Sequence, residues 1–164
     1  MTKNRIKLLE DEFNTFTQKF RESSLEVLKE SFKQFFEINP SITAVVWDQY
    51  TPYFNDGDTC EFTVYDPSFT NVADINEVNY TDYDGDDETV FFLGDLDWVM
   101  SNSSSYDREK ELLIKNNVNI EACNDISSLV LSPAMYHSLK TIFGDHVRVI
   151  ATPKGFESTE VTHD

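Results

Sequence analysis

The sequence predicts an α+β fold with a long N-terminal helix, an antiparallel sheet of about four strands from two hairpins, and two or three further helices. Segments with helical periodicity and segments with strand periodicity occur in separate runs, which favours an antiparallel sheet. Of the 164 residues, 40% are hydrophobic and 13% are aromatic, which is enough for a packed core. We expect an N-terminal amphipathic helix over residues 1–40 and an acidic α+β domain over residues 41–164.

The N-terminal helix is predicted over residues 5–38, where apolar residues follow the 3.6-residue period in two stripes. The first stripe is Leu9, Phe13, Phe16 and Phe20, and the second is Leu25, Leu28, Phe32 and Phe35. The second stripe is rotated by about a quarter turn from the first, and the change falls at Ser23–Ser24. Either both stripes pack on the same domain, or residues 6–22 pack on another chain. Asn39–Pro40 ends the helix, because proline disfavours helical geometry.

The first hairpin is predicted from two segments with strand character. Residues 42–50 are rich in β-branched and aromatic side chains, and residues 60–66 alternate between apolar and polar side chains. Asn55-Asp56-Gly57 between them are residue types that supply turn conformations. Asp66–Pro67 is predicted to stop the second strand, and residues 67–89 to form a long irregular segment.

The C-terminal part of the chain is more regular. The pattern predicts a short strand over residues 90–93, a turn of helix around residues 95–100, and helices over residues 106–116 and 120–131. Ser132–Pro133 begins a further helix, because Ser is a favoured N-cap and Pro suits the first turn, and Gly144 ends it. Apolar alternation over residues 147–151 predicts a second hairpin, whose polar last strand is expected at the sheet edge.

The negative charge is concentrated in one segment. Residues 1–40 hold seven acids and seven bases, residues 41–106 hold fourteen acids and no Lys or Arg, and residues 107–164 hold nine acids and six bases. The net charge of −17 therefore comes mainly from the base-free segment. Its field is expected to repel nucleic acids and anionic membranes and to attract a basic protein surface. No apolar run approaches the roughly 20 residues that span a bilayer.

Aromatic residues are interleaved with these acids, and this combination predicts a partner-binding surface. Carboxylates on a rigid scaffold can imitate the phosphates of a duplex, and aromatic rings beside them supply contact area. The predicted partner-binding residues are Asp48, Tyr53, Phe54, Asp56, Asp58, Asp82, Asp84, Asp86, Asp87, Glu88, Asp95 and Asp97. The alternative is that the acids only increase solubility.

Asp82, Asp84 and Asp86 alternate as in a calcium-binding loop, so a divalent-cation-binding module is an alternative function. An EF-hand loop needs Gly at its sixth position and Glu at its twelfth. Counting from Asp82 gives Asp87 and Leu93 at these positions, so the EF-hand pattern fails. We therefore predict no metal and no cofactor.

No catalytic pattern is visible in the sequence. The histidines at positions 137, 146 and 163 form no His-x-x-x-His or Ser/Cys/His arrangement. Cys60 and Cys123 are predicted to be small core residues in a reducing cytoplasm, since two isolated cysteines make neither a zinc site nor a disulfide scaffold. An acid-dependent hydrolase would rest on the abundance of carboxylates alone and ranks last.

Residues 42–67 and 143–164 resemble a family of small uncharacterised phage and bacterial proteins. The most specific shared element is the run QYTPYFNDG, from Gln49 to Gly57. The resemblance implies a phage or prophage origin, and so a location in the cytoplasm of the host cell. It assigns no functional residues. In physical terms, the run predicts a rigid loop that is either packed on the sheet or offered to a partner.

The sequence thus predicts a non-enzymatic interaction protein that binds a basic protein surface, with a nucleic-acid-mimicking inhibitor as one form of it. Besides the cation-binding module, the alternative is a structural or virion-assembly protein that self-associates through the N-terminal helix. Direct binding to nucleic acid or to membranes is not expected.

Overall fold

The computed structural model describes residues 2–54, 56–75, 89–102 and 106–162. Within these residues the helices are α1 (Thr2–Ile38), α2 (Leu96–Ser101), α3 (Asp107–Lys115), α4 (Ile120–Val130) and α5 (Pro133–Phe143). The strands are β1 (Ala44–Tyr50), β2 (Thr63–Val64), β3 (Ser68–Thr70), β4 (Phe92–Leu93), β5 (Val147–Thr152) and β6 (Gly155–Glu160). The α+β class with an antiparallel sheet is confirmed, although the sheet has six strands rather than about four.

Strand β1 lies at the centre of the sheet. The strand order is β4-β3-β1-β5-β6, and β2 also pairs with β1. Both predicted hairpins form: Gln49 pairs with Val64 in the first, and Ala151 pairs with Phe156 in the second. The two hairpins join through β1 and β5, and β6 is an edge strand as its polar sequence predicts.

The prediction of an irregular segment after Asp66–Pro67 is wrong at residues 68–70, which form β3 against β1. Proline cannot donate to the ladder, so pairing is interrupted near Pro67 and resumes at Ser68. The predicted second strand over residues 60–66 is likewise shorter, because only Thr63 and Val64 are assigned to β2.

Helix α1 continues through Ser23–Ser24, and only its C-terminal half belongs to the core. Leu28, Phe32 and Phe35 are buried, and the ring of Phe32 stacks on Trp47 with centroids 5.8 Å apart. At Ser23–Ser24 the helix reaches the body of the protein, where the buried Ser24 hydroxyl is hydrogen-bonded to Ser138 at 2.9 Å. The first stripe is not packed: Phe13 and Phe16 are 68% and 67% exposed. The alternative in which both stripes pack on the same domain is therefore wrong.

A buried glutamine attaches α5 to the sheet. Gln49 Nε2 donates to the carbonyl oxygens of Leu139 and Gly144 at 3.0 and 2.7 Å, and its Oε1 accepts from Trp47 Nε1 at 3.2 Å. Gly144 lies just after the last residue of α5, so its carbonyl has no partner inside the helix. The side chain of Gln49 supplies that partner and a further one for the carbonyl of Leu139. Gly144 ends α5 with φ +101°, which confirms the predicted helix end.

The two cysteines differ in their surroundings. Cys123 is buried, as predicted, and burial raises the pKa of its thiol to about 12. Cys60 is half-buried, so the prediction of a core residue is wrong there. Among the helices of the described residues, none has the length and apolar character needed to cross a membrane.

Candidate interaction surface

The two faces of the sheet have different neighbours. Successive side chains of β1 point to opposite sides of the sheet. On one side Trp47 contacts Phe32 of α1 and Phe143 of α5, so the helices cover this face. On the other side lie Asp48 and Tyr50. The ring of Tyr65 lies on this second face as well, stacked on Tyr50.

Four rings form a continuous row on the second face, named here the tyrosine row: Tyr65, Tyr50, His146 and Tyr53. Tyr65 stacks on Tyr50 with centroids 4.5 Å apart, and Tyr50 lies 6.1 Å from His146. Tyr53 also stacks on the imidazole of His146, with centroids 4.7 Å apart and 14° between the ring planes. Partial burial and a hydrogen bond with Tyr50 raise the pKa of Tyr65 to about 12. The row connects β2 and β1 to the loop that begins at Thr51.

Asp145 holds the start of this loop. Its carboxylate accepts hydrogen bonds from Thr51 N and Thr51 Oγ1, both at 2.7 Å, and lies 3.1 Å from Lys140 Nζ. Burial by itself would raise the pKa of Asp145, but the hydrogen bonds from Thr51 and the charge of Lys140 outweigh it and lower the pKa to about 2. The ammonium of Lys140 also lies 5.3 Å from the centre of the Phe62 ring. The loop is therefore fixed to the C-terminal end of α5.

We expect this anchor to make stability depend on pH. The folded pKa of about 2 lies below the ordinary value of 3.8, so ionised Asp145 contributes up to about 2 kcal/mol of stability. That contribution is present above about pH 4 and is lost as the pH falls towards 2. Asp145→Asn should lower the free energy of unfolding at neutral pH by about 1–2 kcal/mol. It should also reduce the loss of this free energy as the pH falls from about 4 towards 2. Urea titrations at several pH values measure both effects.

Asp125→Asn is the control for this prediction, because Asp125 is exposed on α4. At acid pH, the free energy of unfolding of the control should depend on pH as it does in the wild-type protein. If Asp145→Asn lost as much unfolding free energy at acid pH as the wild-type protein, the role assigned to this carboxylate would be contradicted.

The loop presents its aromatic side chains to solvent. Tyr53 and Phe54 are 72% and 77% exposed, although Tyr53 is stacked on His146 along one face. Asp56 and Gly57 have φ of +40° and +93°, as a turn of this type requires. Of the two predicted arrangements for this run, packing of the loop on the sheet does not hold for the rings of Tyr53 and Phe54, and presentation to a partner stays a prediction.

Two surface clefts extend the tyrosine row along the molecule, and they share Asp66. The first has a volume of about 220 Å³ and is lined by Val46, Trp47, Asp48, Tyr65, Asp66, Ser68, Phe92 and Arg148. The second has a volume of about 170 Å³ and is lined by Asp66, Pro67, Gly94, Asp95, Leu96, Asn124, Ser127 and Leu131. Asp66 therefore lies between the cleft that contains Tyr65 and the cleft at the start of α2.

The predicted acids on this surface have different roles. Asp48 is paired with Arg148 in a two-bond geometry, with Nε to Oδ1 at 2.7 Å and Nη2 to Oδ2 at 2.8 Å, so its charge is offset within the molecule. Asp95 caps α2 by accepting from Trp98 N at 2.9 Å. Asp97 accepts from Asn124 at 2.9 Å. Asp56 and Asp58 are exposed in the loop.

The other predicted acids, Asp82, Asp84, Asp86, Asp87 and Glu88, lie outside the described residues. The predicted cation-binding loop lies there too and stays a prediction. In the part of the chain that the structure describes, no group of three or more His, Cys, Asp or Glu side chains is placed to hold a metal ion.

Comparisons with family models, with curated proteins and with solved structures find no match for this chain. Residues Tyr50, Tyr65, Asp66 and His146 of this surface were absent from the predicted partner-binding set. Alternation along β1 could have placed Tyr50 on the face of Asp48, but no local pattern predicts that His146 lies between two tyrosines.

The base-free segment of the sequence is not base-free in space. Pairing of β1 with β5 brings Arg148 opposite Asp48, and α5 brings Lys140 beside Asp145. Near these pairs, the described acids Asp56, Asp58, Glu61 and Asp66 are exposed and have no ion pair among the described residues. Part of the charge of the base-free segment is therefore offset within the molecule, and the acids at the loop lie beside exposed aromatic rings.

Proposed function

We propose that this protein is a non-enzymatic interaction protein that binds a basic surface of a protein partner. The binding surface is the loop from Thr51 to Asp58 with the adjoining Glu61 and Asp66. The observation that carries the proposal is the exposure of Tyr53 and Phe54 on a loop that is fixed in place at its base. Large aromatic side chains in such positions do little for the fold and are typical anchors of interfaces.

Fixed geometry supports binding because less conformational freedom is lost when the partner arrives. Thr51 is held by Asp145, and Tyr53 is held against His146. Association normally costs side-chain and loop ordering, and side chains that are already held in place avoid part of that cost. The rings of Tyr53 and Phe54 can therefore contribute most of their burial to affinity.

The charge around the rings favours a basic partner. Asp56, Asp58, Glu61 and Asp66 are exposed, and none has an ion pair among the described residues. Unpaired carboxylates beside an apolar anchor attract Lys and Arg side chains and speed the encounter with them. The same field disfavours nucleic acid as the direct ligand.

The experiment uses immobilised protein to capture a partner from a bacterial lysate at low salt, followed by calorimetric titration of the purified partner. We expect the affinity to fall by about tenfold or more between about 50 and 200 mM salt, because the contact joins opposite charges. Asp56→Lys/Asp58→Lys should weaken binding by at least about tenfold at low salt. The paired variant Glu111→Lys/Asp125→Lys, on α3 and α4, makes the same change in net charge and should have little effect. Equal affinities at both salt concentrations would rule out the proposal.

We further propose that the protein has a phage or prophage origin and inhibits a host protein in the cytoplasm. The resemblance of residues 42–67 and 143–164 to small phage and bacterial proteins supports it, together with the anionic loop surface. Imitation of nucleic-acid phosphates would follow if the captured partner were itself a nucleic-acid-binding protein. Competition between DNA and this protein for that partner tests this form directly.

A further inference from the structure

The N-terminal half of α1 extends beyond the body of the protein. Residues 3–22, named here the arm, form about 30 Å of helix. Every residue from 3 to 20 is exposed except Thr17, which is half-buried, and the ring of Phe20 contacts His137 of α5 at 6.0 Å. Helices in proteins owe most of their stability to packing of an apolar face. An arm with an uncovered apolar stripe therefore indicates a partner helix.

The stripe has the spacing of a coiled coil. Ile6, Leu9, Phe13, Phe16 and Phe20 follow steps of three, four, three and four residues and occupy alternating a and d positions of a heptad. Their exposed fractions are 51%, 64%, 68%, 67% and 38%. An aromatic side chain buries about 150–250 Å², so two paired arms would bury roughly 1,100 Å² from these residues. Specific interfaces bury more than about 1,000 Å².

The charges beside the stripe are complementary to those of a second copy. In an antiparallel pair, a positions face d positions, and g positions lie beside g positions of the other helix. When Phe13 faces Phe16 of the second copy, Glu12 lies beside Lys19 and Arg5 lies beside Glu26. Two-fold symmetry gives each of these attractive pairs twice. No two like charges meet in this register.

Other arrangements are less favourable. A shift of one heptad in one direction places Glu12 beside Glu26 and Lys19 beside Lys19. The shift in the other direction places Glu12 beside Glu12 and Arg5 beside Lys19. A parallel pair keeps one attraction, between Arg5 and Glu10, but it places two bodies side by side. Since residues 1–40 have no net charge and the whole chain carries −17, side-by-side bodies repel.

From this self-complementarity we infer that two copies of the protein dimerise through their arms as an antiparallel helical pair, centred on Phe13 and Phe16. The arrangement places the two acidic bodies at opposite ends of the arm pair. Each copy carries its own loop surface, so the dimer would contain two partner-binding surfaces and could bind a repetitive target by avidity. Dimerisation goes beyond the proposed function and does not depend on it.

Sedimentation equilibrium at low salt tests the inference on the intact chain. Glu12→Lys places like charges beside Lys19 of the second copy and should raise the dimer dissociation constant by about tenfold. Glu10→Lys is the matched control: it makes the same charge change, but in the antiparallel pair Glu10 faces the neutral Thr17. Its dissociation constant should stay within about twofold of the wild-type value. Phe13→Gln/Phe16→Gln should abolish the dimer, and the resulting monomer should still unfold cooperatively, because neither ring is in the core.

A mixing experiment identifies the orientation. Lys19→Glu should weaken the homodimer as Glu12→Lys does, whereas an equimolar mixture of the two variants should form a heterodimer at least as stable as the wild-type dimer. In a parallel pair these two positions face Thr17 and Ser24, so mixing would restore nothing. Weakening by Glu10→Lys but not by Glu12→Lys would overturn the antiparallel arrangement. A wild-type protein that stays monomeric at high concentration would overturn self-pairing and indicate that another protein covers the arm.

Discussion

Replacement of Gln49 by leucine is expected to lower the free energy of unfolding by about 3 kcal/mol. The side chain is fully buried and makes hydrogen bonds with Trp47 Nε1 and with the carbonyl oxygens of Leu139 and Gly144. Leucine has a similar volume but leaves Trp47 Nε1 and the Gly144 carbonyl without these hydrogen-bond partners, at a cost of about 1–3 kcal/mol each, and removes a second partner from the Leu139 carbonyl. The greater hydrophobicity of leucine offsets part of this loss.

Urea denaturation monitored by tryptophan fluorescence measures the effect of Gln49→Leu. Gln34→Leu is the matched control, because Gln34 is exposed on α1 and is hydrogen-bonded only to Glu30 among the described residues. The control should change stability by no more than about 0.5 kcal/mol. Equal stabilities for the two variants would show that the buried glutamine does not hold α5 on the sheet.

The local elements of the fold could be predicted because their signals are local. Ser132–Pro133 and Gly144 bound α5 as expected, and the turn over residues 153–155 joins β5 to β6. Caps, turns and periodic apolar residues depend on neighbours within a few positions, so one sequence is sufficient to read them.

The long-range arrangement could not be predicted in the same way. Pairing of β1 with β5 joins residues about a hundred positions apart, such as Asp48 and Arg148. Nothing local in either segment shows that one faces the other. The consequence for function is large, because this pairing supplies the base that offsets Asp48 and the histidine that supports Tyr53. A charge map drawn along the sequence therefore misses the base that offsets Asp48.

The two stripes of α1 show another limit of periodicity. The spacing of Phe13 and Phe16 indicates that this face of the helix is to be covered, but it does not indicate by what. Within the described part of the chain, no segment covers it, since both rings are about two-thirds exposed. This exposure argues against packing of residues 6–22 on the same domain, and packing on another chain stays a prediction.

The second large effect is expected at the loop. Tyr53→Ala/Phe54→Ala should weaken binding to the captured basic partner by about 100-fold or more, because central aromatic anchors each contribute about 2 kcal/mol or more to an interface. Stability should change little, since both side chains are largely exposed. The loop itself should persist, because Thr51 and Asp145 hold its base.

Ile114→Ala is the control for the loop variant. Ile114 is 69% exposed on α3, so the replacement removes a similarly exposed apolar side chain away from the loop. Its affinity for the partner should equal that of the wild-type protein. Equal losses for both variants would indicate non-specific adhesion through exposed apolar groups.

Calorimetric titration of the purified partner into the Tyr53→Ala/Phe54→Ala protein is the most direct test of the proposed binding surface. A loss of affinity of about 100-fold, with an unchanged melting temperature, is the predicted result. An affinity within about twofold of the wild-type value would contradict the proposal that this loop binds the partner.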